Sequence, residues 1–200
     1  MGVILRKDHG ELSFTKIAKL GIVGLLVAFS TSFVITIWAV YLDSFVNNIS
    51  TVGFLSAILT FIGIASYFFA IPFIERTSKS KIFLHSLLIF AIVYALLYFV
   101  ESLEIFLIVA GILTIAGTLR VTSFGLMVKD KSKKGRLSRN EGLLFTFTNI
   151  AFVIGPLLAG FVASKFGTNS VFLLSSVFVI FAFFILRIGG IKDDRKQKKS

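Results

Sequence analysis

The sequence predicts an all-α membrane protein: six transmembrane helices arranged as two inverted three-helix repeats. Three observations carry this. The 200 residues are 56% hydrophobic and only 16% charged, with a mean hydropathy of +0.93. A soluble domain averages about 25% charged and ~45–50% apolar. The apolar residues gather in six runs, each near the roughly 20 residues that a helix needs to cross a hydrocarbon layer about 30 Å thick. Lastly, of the 21 Lys and Arg residues, all but Lys165 and Arg120 fall at the two termini or in the second and fourth breaks.

The runs lie at 17–42, 51–74, 82–100, 103–128, 142–164 and 171–188. They make one domain, 17–188, flanked by a polar segment, 1–16, and a basic tail, 189–200. The opening polar residues and the long run after them read as an uncleaved first span, because a secretory signal has a shorter apolar region and a small-residue cleavage site. The break after the second run holds Arg76, Lys79 and Lys81. The break after the fourth, "KDKSKKGRLSRNEG", is more basic still. The intervening breaks "DSFVNNIS" and "ESLE" hold no cation. Positive charge stays on the cytoplasmic side, so both termini are expected there, with the plasma membrane as the expected location. Membrane topology accounts for the net charge of +11 without nucleic acid as a partner. With no cysteine and two histidines, the chain offers no pattern for a disulfide, a metal site or a cofactor, and no catalytic constellation.

A shift of 89 residues lays the third run over the sixth. "IFLHS" at 82–86 falls on "VFLLS" at 171–175, and "IERTSKS" at 74–80 on "ASKFGTN" at 163–169. A unit with an odd number of helices, repeated once, is inverted in the membrane, an arrangement common among transporters.

Two polar features lie within the runs. Ser32, Thr36, Ala39 and Asp43 follow one face of the first helix; Thr114, Thr118, Thr122 and Gly125 follow one face of the fourth. Such hydroxyls either line a cavity or join helices. Arg120 has three readings: an anion or counter-ion site, a snorkelling side chain, or a structural pair with an acid. Asp130 at the end of the fourth run is placed to pair with Lys79 or Arg76 across the cytoplasmic side. In the fifth run, Ala151, Gly155, Ala159 and Gly160 give a face of small residues beside Pro156. Small residues let helices approach closely in lipid; the face either packs statically or lets helices slide.

Three stretches resemble the major facilitator superfamily, in its N-terminal six-helix half, over 16–188. "IPFIERTSKSK" resembles the family's GxLaDrxGrk loop, with Glu75 for the acid, Arg76 and Lys79 for the bases, and Ile71 and Ser78 where the family has glycine. Ala151, Gly155, Pro156, Ala159 and Gly160 resemble its fifth-helix pattern, with Ala for Gly at two positions. "GFVASKFG" resembles a faded copy of the loop. The family's RxxxG pattern in the fourth helix is absent; Ala110 and Gly111 stand near its place. The resemblance implies secondary active transport of a small solute by alternating access. It makes Ser32, Thr36, Thr114 and Thr118 lining candidates, with Trp38 and Asn149 behind them, and Asp43 and Arg120 as the charged candidates. It makes Glu75, Arg76, Lys79 and Asp130 a gating loop. Family members have twelve helices in two halves, so the expected partners are the lipid bilayer, a small-molecule solute, and a second copy or a separate C-terminal half. The competing reading is a non-transporting membrane scaffold or assembly subunit, or a truncated transporter fragment.

Overall fold

The computed structural model describes residues 8–132 and 135–190. It contains six helices: α1 Asp8–Val46, α2 Ile49–Arg76, α3 Lys79–Leu97, α4 Leu103–Lys131, α5 Leu137–Phe166 and α6 Ser170–Ile188. Each is long and apolar enough to cross a membrane. In lipid every backbone N–H and C=O must be bonded within the segment, which a helix achieves by itself. The turns are short, and those before α2, α3 and α4 carry side-chain caps. Asn48 accepts from the Thr51 N–H at the start of α2, Ser78 from Lys81 at α3, and Ser102 from Ile105 at α4. Gly167, at φ 86°, ends α5 in a conformation that a Cβ would strain.

Several helices outrun the apolar runs. α1 begins at Asp8 rather than 17, and α5 at Leu137 rather than 142. Hydropathy registers only the residues at hydrocarbon depth. Backbone hydrogen bonding continues into water, where Lys, Arg and Glu are good helix formers. The tail from 191 onward lies outside the described residues.

The helices form a continuous chain of contacts: α2 on α4, α4 on α3, α3 on α6, α6 on α1, and α1 on α5, with slighter contacts closing the bundle. Exchange α1 with α4, α2 with α5 and α3 with α6, and this set of pairings maps onto itself. The two three-helix units are therefore equivalent in packing as well as in order. The 89-residue shift also reproduces burial. Ile82, Phe83, Ser86, Leu87, Phe90, Val93 and Leu97 are buried in α3, and Val171, Phe172, Ser175, Ser176, Val179, Ala182 and Leu186 are buried in α6. Each buried α6 residue thus stands where a buried α3 residue stands in the first unit.

The core fills the space among α1, α3, α4 and α6, with Phe33, Phe83, Phe106 and Phe172 as its largest fully buried side chains. Burial is lopsided. The apolar stretch of α1 is 61% buried, whereas those of α2 and α5 are 11% and 22% buried. Both of the chain's prolines, Pro72 and Pro156, lie in these two peripheral helices.

Candidate functional site

The end of the bundle where α1 finishes and α4 begins is filled by aromatic packing. The Trp38 and Phe106 rings lie 5.0 Å apart, and Tyr41 meets Phe106 at 5.5 Å and Phe172 at 4.7 Å. The Tyr41 hydroxyl lies 3.0 and 2.9 Å from the Leu97 and Val100 carbonyls at the end of α3, where it donates. One side chain of α1 thereby ties α3, α4 and α6 together. Trp38 is accordingly part of the α1–α4 packing. Nothing in the periodicity singled out Tyr41, because its acceptors are backbone carbonyls on another helix.

Two glycines receive hydroxyl-bearing side chains, one at the α1–α5 contact and one at the corresponding α4–α2 contact. Gly155 of α5 lies against Ser32 of α1: a Cβ built there would overlap the Ser32 hydroxyl and stand 2.7 Å from its Cβ. Gly63 of α2 lies against α4: a Cβ there would stand 3.2 Å from Thr114 Cγ2, and Thr118 Oγ1 donates to the Gly63 carbonyl at 3.4 Å. Ser32, Thr114 and Thr118 thus occupy helix–helix contacts rather than an open wall. Thr36 is exposed and donates back to the Ser32 carbonyl at 2.8 Å. Asn149 is exposed and its Nδ2 donates to the Phe145 carbonyl at 2.7 Å, on the side of α5 turned away from α1. With Phe145, Thr146, Ile150, Val153 and Ile154 it lines a shallow groove of about 420 Å³. Back-bonding of this kind satisfies each donor within its own helix and leaves acceptor oxygens free.

The small-residue face of α5 is narrower than its spacing suggested. Ala151, Gly155 and Ala159 are buried, but Pro156 and Gly160 are exposed, and nothing lies near Gly160. Gly160 is therefore not part of the contact. Residues four apart advance by about 40° around a helix, whereas Gly155 and Gly160 are about 140° apart, and α1 covers only the first arc.

The charged candidates separate. Arg120 lies over the Phe90 ring, 4.6 Å from guanidinium carbon to ring centroid, with its Nε buried and unbonded. It points toward α3, and no carboxylate among the described residues pairs with it. Asp43 near the C-terminal end of α1 is partly buried, with Oδ1 buried and unbonded. At the opposite end of the bundle Lys79 Nζ and Asp130 Oδ2 form an ion pair at 2.7 Å that joins the start of α3 to the end of α4. Glu75 and Arg76 are exposed and stand outside that pair. Among the described residues no three His, Asp or Glu side chains converge as metal ligands.

Comparison with known proteins gives two findings. The sequence matches the Major Facilitator Superfamily model over residues 20–200. The fold is similar to a crystal structure of the peptide transporter POT, a mutant form in complex with alafosfalin, with a TM-score of 0.74 at 13% sequence identity. That match covers 93% of this chain and 42% of the transporter chain. No curated protein sequence matches.

Proposed function

The chain belongs to the Major Facilitator Superfamily, and we propose that it forms one half of a secondary transporter that moves a small solute by alternating access. The observation that carries this reading is the lopsided burial. α2 and α5 are the least covered helices, at 11% and 22%. They occupy equivalent places in the two units, and each is held to its neighbour by a glycine contact. A second six-helix unit laid against α2 and α5 supplies the other wall of a solute path. The chain spans 42% of the matched transporter, which leaves room for such a unit there. That unit is a separate C-terminal half or a second copy of this chain. The distribution of Lys and Arg supports cytoplasmic termini. On this reading the Lys79–Asp130 pair is a cytoplasmic latch. The hydroxyls at the glycine contacts belong to the moving joints, and Thr36 and Asn149 are the polar groups nearest the solute.

A scaffold that only packs is the competing reading, favoured by the positions of Ser32, Thr114 and Thr118 in helix–helix contacts. Single cysteines separate the two readings, since the chain has none of its own. Phe61 of α2 and Val153 of α5 are 70% and 72% exposed, and Phe181 of α6 is 58% exposed. Cross-linking to a second six-helix unit from positions 61 and 153, but not from 181, together with solute flux in liposomes that falls when the link forms, supports the transporter. Cross-linking that is equal at all three positions, or a strictly monomeric chain that transports, overturns the paired half.

A further inference from the structure

The contact between α1 and α5 holds a donor without an acceptor and an acceptor without its donor. Ser32 is 1% exposed and its Oγ has no hydrogen-bond partner. Its neighbours in α1 behave otherwise: Thr31 and Thr36 bond back to Val27 and Ser32 carbonyls, and Ser30 donates to the Ser175 carbonyl of α6. Across the contact, Pro156 has no N–H. The Phe152 carbonyl, four residues earlier, therefore lacks the donor that helix geometry would give it. Phe152 also lies three residues before Gly155, and a helical carbonyl runs alongside the Cβ position three residues further on. That Cβ position at Gly155 is where the Ser32 hydroxyl lies. The unpaired hydroxyl thus lies beside the carbonyl deprived of its donor, and at 1% exposure Ser32 has no water to satisfy it.

We propose that the Ser32 hydroxyl and the Phe152 carbonyl form a switchable hydrogen bond across the α1–α5 contact, open in this structure and closed in a second position of α5. A displacement of α5 along α1 brings the two groups together. Only glycine at 155 leaves the hydroxyl a path to the carbonyl. α5 rests almost entirely on α1 and touches α4 and α6 only slightly, so the slide has to re-register one interface. Gly135 and Gly167, at φ 83° and 86°, flank the helix with turns whose backbone conformations glycine adopts readily. The switch goes beyond the transport reading and is independent of the solute carried.

The test uses the full chain in lipid nanodiscs with spin labels on Ile22→Cys in α1 and Phe145→Cys in α5, both exposed sites. Two label separations are expected in the otherwise unaltered chain. Ser32→Ala shifts their ratio by about three- to tenfold toward the separation of this structure, the range of one ordinary hydrogen bond. Pro156→Ala returns an N–H to the Phe152 carbonyl, so in that background Ser32→Ala shifts nothing. An equal shift in both backgrounds, or a single separation in the unaltered chain, overturns the proposal. Should a variant fail to fold, the Phe152 carbonyl labelled with ¹³C and ¹⁸O decides the matter by infrared in the unaltered chain. Bands for a free and a bonded carbonyl support the switch; one band matching the ordinary helical carbonyls overturns it.

Discussion

Gly155→Ala and Gly160→Ala are the same substitution, five residues apart in the same helix, and the structure predicts opposite outcomes. Replacing glycine by alanine in a helix is worth roughly 0.5–1 kcal/mol in backbone terms. That contribution is common to both variants and cancels in their difference. At Gly160 nothing lies near the added methyl, so the variant is expected to gain the backbone contribution and unfold slightly later. At Gly155 the methyl overlaps the Ser32 hydroxyl and stands 2.7 Å from Ser32 Cβ. Carbon atoms pack at about 3.5–4.0 Å, so α5 must retreat by about 1 Å along a contact in which Ala151 and Ala159 are fully buried. Overpacking of this size costs about 1–3 kcal/mol. Gly155→Ala should therefore fall about 1–3 kcal/mol below Gly160→Ala in unfolding free energy, measured by denaturant titration in detergent micelles. Adding Ser32→Gly to Gly155→Ala removes both colliding atoms and should recover most of the difference. Equal stability of the two alanine variants, or no recovery on adding Ser32→Gly, would refute the packing argument.

Gly63→Ala should be milder than Gly155→Ala, since its nearest neighbour is a side-chain methyl at 3.2 Å; a loss larger than that of Gly155→Ala in the same titration counts against the equivalence of the two contacts. Arg120→Leu should raise stability by about 0.5–3 kcal/mol, because a mid-membrane arginine costs about 2.5–3.5 kcal/mol and its contact with Phe90 returns about 0.5–2 kcal/mol; a loss on thermal unfolding means that the guanidinium has an anionic partner. Lys79→Ala should cost less than about 1 kcal/mol, since the side chains of the pair are 25% and 40% exposed and such pairs are screened by water and salt; the swapped pair Lys79→Asp with Asp130→Lys should recover it. For topology, an impermeant thiol reagent applied to intact cells should label Asn48→Cys and spare Ser138→Cys, and the reverse pattern inverts the orientation.

What the amino-acid sequence determined by itself is the part of the structure that the membrane dictates. Hydrocarbon thickness is a constraint along one dimension, and so is the placement of Lys and Arg, so the existence, order and approximate limits of six helices can be read directly. The 89-residue repeat was also legible, because burial in α3 and α6 follows the same residues under that shift. Which way each helix faces was not legible. Lipid is as apolar as the protein core, so these helices are apolar all round and carry little record of their inner side. Ser32 and Thr36 lie one turn apart on one stripe, yet α5 covers the first and leaves the second exposed. Gly155 and Gly160 share one motif, yet only Gly155 meets α1. Arg120 is plain in the sequence as a cation at membrane depth, and only the position of α3 placed it over Phe90. Tyr41 ties α1 to carbonyls at the end of another helix, a partner that no side-chain pattern records. Tertiary structure decided these because small differences in how neighbouring helices rotate choose among faces of nearly equal hydrophobicity.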